Sequence, residues 1–189
     1  MIHDEGLLAQ LDALPKETFQ GDVFRGTRQN LDPLASSYSG GRWMERDGAA
    51  VLYTSLARDG AMAEISFHWG QLNPRPTKPV VIHTLRVVTH RTLKLLRADL
   101  SVFGISDNLY AEINPARTQE IGAAVEFLGC DGLIAPCVRW QCDNLVLFPD
   151  KMGLDANIVV VTSEPVDWIS WASEHGMLSS QPAGNERHL

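Results

Sequence analysis

The sequence predicts a single compact α+β domain, and three observations carry that prediction. Short apolar segments with the β-branched or aromatic character of strands recur along the chain, with only two or three helices between them. Strands and helices do not alternate regularly, which disfavours a doubly wound parallel sheet. No repeat, low-complexity tract or linker divides the 189 residues, a length that fits one domain (1–189) and buries a core without a covalent staple. The core is expected over residues 20–163, with 179–189 a flexible tail.

The elements follow in chain order. Leu7, Leu8, Leu11 and Leu14 share one helical face until Pro15 stops the pattern. Val23 to Arg25 reads as a short strand leading to the polar stretch that ends in Ser39-Gly40-Gly41, and Arg42-Trp43 starts a second one before the turn-like Arg46-Asp47-Gly48. Ala50 to Ser55 is a buried strand. Ala57 to Trp69 keeps a helical register, although Gly60 weakens its start. After a loop with Pro74, Pro76 and Pro79, Val80 to Val88 is the strongest strand, β-branched throughout. Asn108 to Pro115 reads as irregular, and Arg117 to Leu128 as a helix closed by Gly129 in a left-handed cap. Leu133–Ala135, Asn144–Phe148 and Ile158–Thr162 are further short strands, and Trp168 to Leu178 a last helix.

Charge and composition exclude several functions. Hydrophobic residues are 44% and charged residues 21%, the balance of a water-soluble globular domain. A net charge of −7 argues against direct binding to nucleic acid, which asks for a Lys/Arg-rich face, but leaves room for a local basic pocket. The first fifteen residues lack a signal-peptide pattern, and no apolar run approaches a membrane span, so a cytoplasmic protein is expected. Three cysteines, Cys130, Cys137 and Cys142, are an odd count and fit reduced thiols. With six and four residues between them and no nearby histidine, they match no zinc pattern, and no metal site is expected. Cys130 and Cys142 read as small core residues.

Dinucleotide, P-loop, nucleophile-elbow and zinc-protease motifs are missing. What remains is a run of unusual polar residues between positions 24 and 69. Arg25 follows an apolar strand, and Arg42 follows two glycines, which let backbone amides approach an anion that a guanidinium can grip in bidentate fashion. A turn followed by a solvated arginine is the plainer reading of the same three residues. Tyr53 lies in an apolar strand, either as a core aromatic with its hydroxyl at the surface or as a site residue. Glu64 sits among Ala61, Met62, Ala63 and Ile65, so it either faces water or lies at a buried boundary where a carboxylate needs a partner.

Taken together, Phe24-Arg25, Gly40-Gly41-Arg42-Trp43, Val51-Leu52-Tyr53-Thr54-Ser55 and Ala61-x-Ala63-Glu64 resemble the RES domain family. Gly132-Leu133-Ile134-Ala135-Pro136-Cys137-Val138-Arg139 and Asn144 to Phe148 resemble its C-terminal motif. The likeness covers residues 20–150, and the equal eleven-residue intervals from Arg42 to Tyr53 to Glu64 make it specific. The resemblance implies a fold related to ADP-ribosyltransferases and the toxin of a toxin–antitoxin pair. Such a toxin degrades NAD+ at the nicotinamide–ribose bond, with water or inorganic phosphate as acceptor, and needs no cofactor. It also implies an Xre-type helix-turn-helix antitoxin that covers the pocket. By position, Arg42, Tyr53 and Glu64 match the catalytic set, and Arg25, Arg42, Tyr53 and Cys137 the substrate-binding set. Cys137 departs from the family's pattern, which has serine there, and a thiol is the weaker hydrogen-bonding group. Two rival readings stay open: a protein ADP-ribosyltransferase, and a non-catalytic domain that binds NAD+ or a partner.

The residue types suit that chemistry on their own terms. Breaking the nicotinamide bond develops positive charge on the ribose, which a carboxylate such as Glu64 stabilises best where water is excluded. Nicotinamide leaves as a neutral molecule, so no second catalytic carboxylate is required.

Overall fold

Helix α1 (Glu5–Asp12) starts where the Asp4 carboxylate accepts the Leu7 amide at 2.7 Å, a side-chain N-cap, and it buries Leu7 and Leu11. The computed structural model describes residues 3–111 and 115–178. Strand β1 (Lys16–Arg28) then pairs antiparallel with β3 (Val80–Lys94) over almost its whole length, from Lys16 opposite Leu93 to Arg28 opposite Val80. Between them the chain forms β2 (Leu52–Ser55) and helix α2 (Arg58–Gly70). The second half of the described chain adds α3 (Asp107–Ala111), α4 (Ala116–Phe127), β4 (Gly132–Pro136), β5 (Asp143–Leu147), β6 (Asn157–Val166) and α5 (Trp168–Glu174).

The strand order is β1-β2-β5-β4-β3-β6, and the additional β1–β3 pairing closes the first five strands into a ring. Closure works because β3 changes neighbours along its length. Its first half pairs with β6, and its last residues, Thr92 to Lys94, run parallel to Gly132–Ile134 of β4. Each ring strand sends apolar residues into one cluster: Val23, Leu52, Leu85, Val87, Ile134, Leu145 and Leu147. A second cluster joins α1, α4 and the Trp43 segment to the other face of β4 and β5. A third packs α2 and α5 on Val80 and Ile82, with Trp69 edge-on to Trp168. Gly26 on β1 lets α2 approach closely, since a Cβ there would lie 3.2 Å from the Ile65 side chain.

The α+β class holds, and several boundaries move. Strand β1 is much longer than Val23–Arg25 because most of it is exposed or half-buried, with only Val23 and Thr27 fully covered, so no apolar alternation marks it. β3 and β6 also outrun Val80–Val88 and Ile158–Thr162. Arg42-Trp43 is not a strand: Gly41 N–H donates to the Met44 carbonyl at 2.8 Å around a tight turn. The segment expected to be irregular includes helical residues 108–111, while 112–114 lie outside the described residues, as does the expected tail 179–189. The last helix ends at Glu174 rather than at Leu178. Gly129 does adopt a left-handed φ of 76° after α4.

Gly60 and Gly122 explain two breaks in helical propensity. A Cβ at Gly60 would meet Ser55 Oγ at 2.2 Å and Cys142 Sγ at 2.5 Å. A Cβ at Gly122, in the middle of α4, would lie 1.7 Å from the Trp43 carbonyl oxygen. Helix α4 thus packs backbone against backbone on the Gly41–Met44 turn. In an open helix Gly→Ala stabilises by about 1 kcal/mol. Here the sign reverses, and Gly122→Ala is expected to cost about 3 kcal/mol through overpacking against main chain. A urea midpoint that falls with an unchanged slope bears this out. A midpoint unchanged or raised would show that α4 stands off from Trp43.

Candidate active site

The Gly41–Met44 turn carries Arg42, and contacts from α4, Tyr53 and Tyr110 hold it. Gln119 Nε2 donates to the Gly41 carbonyl at 2.8 Å, and Trp43 N–H donates to the Tyr53 hydroxyl at 3.3 Å. Tyr53 also occupies the space that a side chain at position 41 would need, with its Cζ and Oη 2.7 Å from an ideal Cβ. Arg42 Nη1 donates to the Tyr110 carbonyl at 2.9 Å, and its guanidinium lies 5.2 Å from the centre of the Tyr110 ring. Burial pushes the Tyr53 phenol up to about 12, although the Trp43 and Met44 amides oppose the rise. Tyr53 is therefore a neutral group near pH 7, with its O–H still able to donate.

Arg25 enters from β1, opposite His83 of β3. Its Nη2 donates to the Ala35 carbonyl at 2.9 Å, while Nε is buried without a hydrogen-bond partner among the described residues. Burial lowers this guanidinium's affinity for its proton, and Asp32 partly restores it. A buried donor without an acceptor is costly, so the site is built to receive one.

Glu64 projects from α2. Its Oε1 accepts from Asn144 Nδ2 at 3.2 Å and from Cys137 Sγ at 3.3 Å. The carboxylate acceptor fixes the Asn144 amide orientation, which leaves Asn144 Oδ1 buried and unpartnered. Arg139 lies beside this pair with its guanidinium 3.4 Å from the Phe67 ring centre. Burial and Arg42 lower the Arg139 pKa, while Glu64 and Cys137 raise it.

These groups line one cavity of about 780 Å³, inside the range of small-molecule sites. Among the described residues its wall holds Arg25, Arg42, Arg46 and Arg139 and a single carboxylate, Glu64, in a protein whose net charge is −7. The structure sets Arg25, Arg42, Tyr53 and Glu64 on the wall of this one cavity. Cys137 is placed differently: it lies behind Glu64, off the cavity wall, and its contact is with the carboxylate. Residue-level reading assigned no role to Asn144, Arg139 or Gln119. Arg139 closes one quoted motif and Asn144 opens the next, so the signal was present without a geometry to interpret it. Among the described residues no group of three or more His, Cys, Asp or Glu is placed to hold a metal ion.

The class of protein defined here is an α+β domain built around an arginine-lined pocket with one carboxylate, suited to a phosphorylated small molecule. The chain belongs to the RES domain family, whose model matches residues 20–169. No curated protein matches it in sequence. Among solved structures it is similar to a chain in the crystal structure of the M. tuberculosis MbcT–MbcA toxin–antitoxin complex. The TM-score is 0.76 at 20% identity, over 90% of this chain and 97% of that one, which establishes the shared fold.

A cavity of this charge is expected to bind pyrophosphate, a probe that lacks both sugar and base. Arg42→Ala is expected to weaken that binding by about tenfold, the loss of one charge-assisted contact. Isothermal calorimetry checks it, and an unchanged affinity in a folded variant removes Arg42 from the anion site.

Proposed function

We propose that this protein is the toxin of a toxin–antitoxin pair and that it degrades NAD+ by cleaving the nicotinamide–ribose bond, with water or inorganic phosphate as acceptor. The observation that carries the reading is the pairing of one held carboxylate, Glu64, with a wall of guanidiniums in an otherwise acidic protein. Family membership and the toxin–antitoxin setting of the structural neighbour support it. The kinship with ADP-ribosyltransferases is part of the same reading.

In this mechanism Arg25 and Arg42 grip the pyrophosphate, with Arg25 Nε gaining the acceptor it lacks. Glu64 accepts a ribose hydroxyl and stabilises the positive charge that grows on the ribose as nicotinamide departs. Tyr53, neutral and anchored through its oxygen, offers its O–H to the ribose or stacks beside nicotinamide. Cys137 acts through Glu64, as a donor to Oε1, and Asn144 holds the same oxygen. The protein works in the cytoplasm, where NAD+ is available, and a helix-turn-helix antitoxin of the Xre type covers the pocket.

Mass spectrometry of NAD+ incubated with the purified protein, with and without phosphate, tests the reading. Free nicotinamide with ADP-ribose indicates water as acceptor, and a phosphorylated ribose product indicates phosphate. ADP-ribose found on protein side chains would instead make the enzyme a transferase, and bound but intact NAD+ a binding domain. Glu64→Gln is expected to reduce nicotinamide release by about 100-fold or more, with the fold retained. A fully active Glu64→Gln protein takes the carboxylate out of the mechanism.

A further inference from the structure

The chemistry assigned to the pocket uses Cys137 and leaves Cys142, the residue facing it, unexplained. Cys137 and Cys142 continue the β4–β5 ladder one step beyond Pro136 opposite Asp143, and the Cys137 amide donates to the Cys142 carbonyl at 2.8 Å. Facing residues at such a position have Cα atoms about 5.5 Å apart. That lies inside the roughly 4.4–6.8 Å that a disulfide spans. Both cysteines are reduced in this structure, and the register sets their side chains on the same face of the hairpin end.

The two sulfurs have different surroundings. Cys142 Sγ lies 3.4 Å from Ser55 Oγ and rests on Gly60, in the first turn of the 13-residue helix α2, where the helix dipole favours negative charge. The hydrogen bond from Cys137 lowers the Cys142 thiol to about 7, with burial opposing and Ser55 assisting. Cys137 is buried beside Glu64, and donation to Cys142, burial and the carboxylate all hold it in the protonated form. Its proton is donated to Glu64 Oε1, and a thiolate at Cys142 would compete with the carboxylate for it. A second cavity of about 460 Å³, lined by Arg97, Trp140, Cys137 and Cys142, reaches the hairpin end from outside the arginine-lined site.

We propose that Cys137 and Cys142 are a redox-sensitive dithiol, which hydroperoxides close to a disulfide that strips Glu64 of its thiol donor. The Cys142 thiolate attacks a peroxide oxygen, the O–O bond breaks, and the departing hydroxide takes up a proton to leave as water. The resulting sulfenic acid is attacked by the Cys137 sulfur; the S–S bond forms as the sulfenic hydroxyl leaves with the Cys137 proton as a second water. Two thiols and one hydrogen peroxide give one disulfide and two waters. Glu64 then keeps Asn144 as its only described donor. The effect on turnover rests on the reading of the pocket as an NAD+-cleaving site.

The experiment treats the purified full chain with hydrogen peroxide, maps disulfides by mass spectrometry without reduction, and follows nicotinamide release. A Cys137–Cys142 linkage is expected, reversed by dithiothreitol, with buried Cys130 unmodified as the internal control. Turnover should fall by about tenfold on oxidation, the loss of a hydrogen bond to a charged group, and return on reduction. Cys142→Ser should keep the basal rate and lose the peroxide response. Failure of the linkage to form, or a linkage that leaves the rate unchanged, overturns the proposal. If the reduced protein releases no nicotinamide, the NAD+ reading fails, and disulfide mapping with Cys142→Ser still decides whether the dithiol exists.

Discussion

Like charges do not gather on their own, so the guanidiniums around the pocket are held where neutral packing puts them. The main anchor is the backbone contact between Gly122 on α4 and the carbonyl of Trp43. It seats the Gly41–Met44 turn against a helix that has no side chain at that point, and Gln119, one turn earlier on the same helix, ties down the Gly41 carbonyl. Tyr53 closes the other side of the turn. Arg42 inherits its position from these uncharged contacts, then satisfies part of its own hydrogen bonding on Tyr110. The mutual repulsion of Arg42 and Arg139 is thereby met by packing, and a dianionic ligand relieves it.

The carboxylate is treated in the opposite way. On the surface, Arg58–Glu164, Arg86–Asp22 and Arg97–Asp107 are direct ion pairs, exposed and therefore worth little to stability. Glu64 makes no such pair within 4 Å among the described residues and is held by an amide and a thiol. Neutral donors fix its direction without cancelling its charge. A carboxylate held in this fashion keeps its field for a cation that develops nearby, and needs no reorganisation to do so.

Much of this was legible in the amino-acid order, and the failures share one cause. Arg42, Tyr53 and Glu64 stand out in the sequence through their local settings and their match to a family pattern, and the structure sets all three on one cavity wall. Helices α2 and α4 were found because their registers repeat over many residues. Strand β1 was cut short because it is mostly exposed or half-buried, and its partner β3 lies far away in sequence, so pairing rather than hydrophobic alternation sustains it. Gly60 reads as a weak point in its helix, and it and Gly122 are close approaches to distant segments. Asn144 and Arg139 stand within the family's motifs, but their roles exist only once the β4–β5 hairpin end meets α2. Local chemistry is written locally; contacts across the ring are not.

That hairpin end also makes sense of the departure at Cys137. A serine hydroxyl there would be the stronger donor to Glu64. A thiol at 3.3 Å is the weaker donor, so the carboxylate is oriented jointly by Cys137 and Asn144 and has no surplus donor when one is lost. The position that loses hydrogen-bond strength gains redox chemistry, because the residue facing it across the hairpin is Cys142, set on the first turn of the helix that carries Glu64. A single substitution therefore couples the charge at the centre of the pocket to the oxidation state of a neighbouring pair. This coupling follows from the ladder register between β4 and β5, which sets the two cysteines opposite each other.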